Sequence, residues 1–137
     1  MTADPGPASG GPRDRTEEPH LHISLTVGST AHRATLRDTP AGRDFAALLP
    51  LSLTLRDFAG TEKISDLPSR LSTAEAPAGA AADVGDIAFY APWGNVAIFY
   101  RPSEYAQGLI VFGHLETGID HLGTATGDVP VTIAVAP

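Results

Sequence analysis

The chain has 137 residues and 42% hydrophobic content, enough for one domain with a real core plus an extension. Its formal net charge is -7 and its bases form no cluster, which argues against nucleic acid and anionic membranes as partners, because phosphate binding needs concentrated Lys and Arg. Cysteine is absent, which excludes disulfides and thiol chemistry and fits a reducing cytoplasm; no apolar run approaches the roughly 20 residues of a membrane helix.

Residues 1–19, MTADPGPASGGPRDRTEEP, are dominated by Pro, Gly and charge. Such a segment buries too little apolar surface to offset its ordering entropy, so it is expected to be a disordered leader. A docking tail is the functional alternative. The domain is expected to span 20–137, and it keeps seven bases and twelve acids, a formal charge of -5.

LHISLTVGSTAHRATLRD, residues 21–38, reads as a β-hairpin. Gly28-Ser29 places Gly first, as a two-residue type II′ turn requires. Closure there sets Leu25 against His32, Ile23 against Ala34 and Leu21 against Leu36, a mostly apolar face. Thr39-Pro40 is a helix start, with Thr39 as cap and Pro40 in the first turn. AGRDFAALL then puts Phe45, Leu48 and Leu49 on one side, and Pro50 ends the helix. LSLTLRDF, 51–58, alternates and predicts a half-buried strand. Residues 59–86 are mostly loop, with a short strand near Lys63-Ile64, and long loops in compact domains are often functional. DIAFYA and NVAIFY are apolar on both faces and are expected to be covered on both sides. GLIVFGHL and VPVTIAVA are further strands, with TGIDHLG a turn or single helical turn between them. Seven or eight short strands with one helix imply an all-β barrel or sandwich.

Chemistry-bearing patterns are sparse. His22 and His32 fall on opposite faces of the hairpin, and His114 and His121 lack close ligand spacing and any Cys partner, so no metal is expected. Gly-rich phosphate loops and a G-x-S-x-G elbow are absent. Asp83 and Asp86 fit turn chemistry. Glu62 and Lys63, the latter the sole lysine of the chain, are adjacent and must face opposite ways on a strand, so one of them can point into a barrel mouth. Aromatic residues gather in FYAPWGNVAIFY, 89–100, around the only tryptophan, Trp93. One set of these rings can fill the core while Tyr90, Trp93 and Tyr100 line a groove with polar handles.

The order of hairpin, DFAALLPL, EKISDLP, GDIAFYAPWGNVAIFY and GLIVFGHLETGI resembles the small bacterial cyclophilin-like proteins across residues 21–136. That resemblance implies a closed eight-stranded barrel with a helix over an opening, in a group related in fold to the peptidyl-prolyl isomerases. The isomerase Phe-His-Arg motif is missing, and Arg56, between Leu55 and Asp57, is the nearest stand-in. The expectation is therefore a barrel that binds a peptide segment or small ligand near the Pro92–Asn95 hairpin and needs no cofactor. Trp93, Asn95, Tyr90 and Tyr100 would supply contacts, and Lys63, Glu62 or Arg56 a charge. Weak isomerase activity is the alternative, and an enzyme acting on a small anion through Lys63 is a third reading.

Overall fold

The computed structural model describes residues 21–137; the leader expected over 1–19, and His20, lie outside the described residues. Strands β1 (Leu21–Val27) and β2 (Thr30–Leu36) form the expected hairpin, with Leu21, Ile23 and Leu25 opposite Leu36, Ala34 and His32. Gly28 adopts φ +61°, and a Cβ there would meet no atom within 4 Å. The demand for glycine at this turn is therefore one of backbone conformation, not of space.

Thr39 caps helix α1 (Pro40–Ala47) by accepting a hydrogen bond from the Gly42 amide at 3.1 Å. The helix buries Phe45 against Phe112, with ring centroids 4.9 Å apart. Strands β3 (Leu51–Phe58), β4 (Glu62–Asp66), β6 (Asp86–Tyr90), β7 (Asn95–Phe99), β9 (Leu109–Leu115) and β10 (Val129–Val135) complete the barrel. Its order is β1-β10-β3-β4-β7-β6-β9-β2, closed and antiparallel at every pairing. Closure removes the free strand edges that an open sheet would expose. Two dipeptide strands, β5 (Gly79–Ala80) and β8 (Ala106–Gln107), pair with each other outside it. The residues expected as a turn or one helical turn form a second, six-residue helix, α2 (Ile119–Thr124).

The two helices stop opposite ends. Residues at the end of β2 lead into α1, whereas His32 at its start meets His121 of α2. Between them the interior is filled by Ile23, Leu25, Leu36, Leu55, Phe89 and Ile98, among others. A second apolar cluster lies on the outside of the sheet, where Ile64, Ala88, Ala97, Phe99 and Leu109 are covered with Ala82. This is why β6 and β7 are apolar on both faces: one face fills the barrel and the other carries this outer layer.

The segment between β4 and β6 packs against both clusters, with Leu71 in the interior one and Ala82 in the outer one. Arg70 donates from Nη2 to the Ala91 carbonyl at 2.6 Å and lies over the Phe89 ring. Ala82 and Ser103 are tied twice, through the Ala82 amide to Ser103 Oγ at 2.8 Å and the Ser103 amide to the Ala82 carbonyl at 2.9 Å. The long loop thus fixes the β6–β7 connection and the segment before β8 against the barrel. Among the described residues, no helix is long and apolar enough to cross a membrane.

Candidate functional site

Tyr90 pairs with Asn95, leaving Ala91–Gly94 as a four-residue connection. The Tyr90 carbonyl accepts from the amides of Trp93 at 3.2 Å and Gly94 at 2.9 Å, and Gly94 takes φ +68° to close the loop. This geometry turns the Trp93 side chain back across the outer face of the sheet. Its ring meets Tyr90 edge-on at 5.4 Å and Phe58 of β3 at 5.2 Å. Such edge-to-face pairs suit the ring quadrupoles. Trp93 nevertheless remains 55% exposed. A large apolar ring held in place but left open to solvent is a ready contact surface.

Below these rings lies a groove of about 280 Å³. Tyr90, Trp93 and Phe58 form its aromatic side, and Phe99 and Leu109 contribute apolar surface. Ser103 and Ala106, delivered by the braced segment before β9, line it as well. Its two remaining lining residues are Glu62 and Asn95. Both are polar, and both are poorly satisfied.

Asn95 is only 2% exposed, and its side-chain oxygen Oδ1 is buried without a hydrogen-bond partner. Leaving a buried acceptor unpaired costs about 1–3 kcal/mol, so such a group calls for an explanation. Glu62 forms no ion pair with a base among the described residues. Burial pushes its carboxyl above the usual carboxylate range, and the nearby negative charge of Asp57 adds to the effect. Among the described residues, Glu62 is the only charged side chain lining the groove.

Four of the seven residues singled out from sequence therefore converge here: Trp93, Asn95, Tyr90 and Glu62. The other three do not line the groove. Lys63 points into the barrel mouth and is 2% exposed. Its Nζ donates to the Ala125 carbonyl after α2 at 2.8 Å and lies 3.6 Å from Asp57 Oδ1. It also sits 5.7 Å from the centroid of the Tyr100 ring. The Tyr100 hydroxyl donates to Asp57, and this bond is the main reason the Asp57 carboxyl titrates below its ordinary range. The same bond raises the Tyr100 phenol. Arg56 is exposed on β3 opposite Ile64, beside the groove but outside it. The expectation that Lys63 and Tyr100 share a cavity with Trp93 is corrected: strand parity sends them to the other side of the sheet.

Phe58 was not anticipated. Its signal was present in LSLTLRDF, where it is an aromatic on the polar side of the alternation with Ser52, Thr54 and Arg56. Ser103 and Ala106 carry no comparable signal, because long-range folding of a loop brings them in. The histidine pairings considered from sequence do not form either. His32 instead contacts His121, with Nε2 and Nδ1 2.9 Å apart. Among the described residues, no three metal-ligating side chains come together.

A larger depression of about 440 Å³ lies by His22, His32 and the chain end at Pro137. The one buried orphan side-chain atom among the described residues, Asn95 Oδ1, is in the aromatic groove and not there. The class defined by this arrangement is a filled, two-helix-stoppered β-barrel with its concave surface on the outside of the sheet.

Comparison with known proteins agrees with that class. The model of the Cyclophilin-like family matches residues 25–134, and the chain belongs to that family. The solution structure of the hypothetical protein AF2241 from Archaeoglobus fulgidus superposes with a TM-score of 0.58 at 15% identity, covering 85% of this chain and 95% of that one. At this identity the likeness concerns the fold. No curated protein matches the sequence.

Proposed function

We propose that this cyclophilin-like domain is a binding module that takes a peptide segment or small ligand into the groove under Trp93. The observation that carries this reading is Asn95 Oδ1, a buried acceptor without a partner at a groove lined by four aromatic rings. A ligand donor bonded to Asn95 offsets the desolvation that folding leaves uncompensated. The rings provide large contact area, and two of them carry a polar tip. Such a pairing of apolar walls with a few placed polar groups is the usual make-up of a ligand site.

Isomerase catalysis finds less support. Rotation about a prolyl amide has a barrier of roughly 18–20 kcal/mol, and lowering it calls for a donor placed on the amide nitrogen. Among the described residues the groove lining holds no arginine, and Arg56 lies outside it. A small anionic substrate handled by Lys63 is likewise disfavoured, because that ammonium is buried and already donates to Ala125.

Trp93 is the chain's only tryptophan, so its fluorescence reports on the groove itself. A thermal-shift screen of peptides and metabolites, followed by Trp93 fluorescence titration of each hit, tests the reading. Ligands of the folded state raise the melting temperature. Hits that shift Trp93 emission and lose affinity in Asn95→Ala support the groove. Hits that leave Trp93 emission unchanged place binding elsewhere and overturn it.

A further inference from the structure

Resting on the groove reading above, we propose that the ligand is an organic cation: an ammonium or guanidinium group set against the Glu62 carboxylate and the faces of Trp93, Tyr90 and Phe58, with a ligand N–H reaching Asn95 Oδ1. Among the described residues, the one buried side-chain atom of the groove without a hydrogen-bond partner, Asn95 Oδ1, is an acceptor. Glu62 is the only charged residue lining it among the described residues and is negative, and Asn95 adds a buried oxygen without a partner. Neither has a basic partner among the described residues. Aromatic faces attract cations through the ring quadrupole, most strongly at tryptophan. The formal charge of -7 draws cations toward the molecule as a whole.

The register gives the ligand a length. Glu62 stands opposite Phe99, and Asn95 lies four residues earlier on the same strand, β7. Four strand steps span roughly 13 Å along the backbone. A cation and a separate N–H donor on one extended molecule can therefore meet both groups. A lysine side chain on a peptide segment and a free polyamine share this chemistry.

The groups around Glu62 define how binding depends on pH. Asp57 on β3 titrates below its ordinary range and Tyr100 above its own, so neither changes charge where Glu62 does. Arg56, exposed on β3 opposite Ile64, is the base on the same strand as Asp57. Cation affinity thus falls as pH drops through the raised titration of Glu62, while a neutral ligand is unaffected.

The experiment is fluorescence titration of Trp93 with spermidine, with an acetyl-Gly-Lys-Gly-amide peptide, and with the same peptide carrying Nε-acetyllysine. A third, neutral proline-containing peptide completes the set. Saturable binding of a cationic probe, with the acetyllysine peptide about tenfold weaker or worse, is expected, because a charge-assisted bond is lost. Glu62→Gln, which keeps the shape, is expected to weaken the cation by a similar factor; circular dichroism checks the fold. Preference for spermidine over the lysine peptide identifies a free amine as the source, and the reverse identifies a peptide. Equal binding of neutral and cationic peptides, or unchanged cation affinity in Glu62→Gln, overturns the cation proposal and leaves the groove standing. If no probe of either kind alters Trp93 emission, both readings fall.

Discussion

Glu62 and Lys63 are neighbours in the chain and opposites in the structure. Lys63 enters the barrel mouth, where its ammonium donates to Ala125, approaches Asp57 and lies near the Tyr100 ring. Glu62 faces outward into the groove, desolvated and without a basic partner among the described residues. One polar cluster is satisfied by the protein's own groups and serves to hold α2 over the barrel. The other is left wanting a partner. A buried polar group that is fully bonded contributes to a unique fold, whereas one left unbonded costs stability unless something else completes it. The two sides of the same sheet thus differ in whether their polar groups are satisfied from within the described chain.

The comparison can be broken most forcefully at the mouth. Lys63→Ala is expected to destabilise the fold by about 3 kcal/mol, from loss of a charge-assisted hydrogen bond and of packed side-chain volume. Urea unfolding measures it, and groove ligands should bind the folded fraction unchanged. Lys63→Met, which retains most of the volume, should cost about half as much. An equal cost for both variants places the energy in the hydrogen bond alone.

Arg70 offers the next largest effect. It ties the long loop to the Ala91 carbonyl, and Arg70→Ala should cost about 1–2 kcal/mol, because the bond is charge-assisted and partly exposed. The same change should lower Trp93 fluorescence anisotropy, since the connection bearing the ring loses its tether. Trp93→Ala removes a half-exposed ring with two edge-to-face contacts and is expected to cost about 1 kcal/mol of stability while reducing ligand affinity markedly.

Smaller effects follow from the two carboxylates. The Glu62 carboxyl titrates above its ordinary range in the folded state, so the folded chain holds that proton to higher pH than the unfolded chain. Its contribution is present below the unfolded value and is lost as pH rises through the folded one. Glu62→Gln should therefore raise stability at neutral pH by about 0.5 kcal/mol, measured by urea unfolding. Asp57 behaves in the opposite sense. Its contribution is present above the ordinary carboxylate value and is lost as pH falls through the lowered one. Tyr100→Phe removes the main cause, and carbonyl-detected NMR titration should show the Asp57 midpoint move up toward the usual range.

Local rules carried much of the fold. The 21–36 hairpin appears in the register read from Gly28 and the two-faced pattern, because a two-residue turn leaves no freedom to slip. The α1 start at Thr39-Pro40 follows from capping chemistry within four residues. The double-sided apolarity of β6 and β7 announced cover on both faces. Helix α2 was less legible, since six residues lack a full amphipathic repeat. The site was legible in part: the Pro92–Asn95 connection marked where Trp93 and Asn95 stand, but the face on which Lys63 lies was open.

Sequence alone determined that Glu62 and Lys63 point apart, since alternation along a strand is a property of the backbone. It could not decide which of the two enters the barrel. That choice belongs to closure: only when β4 pairs with β3 and β7 does the Lys63 side become the interior, beside Ile98 and under α2. In the same way, Phe58, Trp93 and Ser103 come from three segments with no local signal joining them. Their meeting follows from the turn at Gly94, the pairing of β3 with β4, and the bonds between Ala82 and Ser103. Local chemistry set the elements, and long-range pairing assembled the groove.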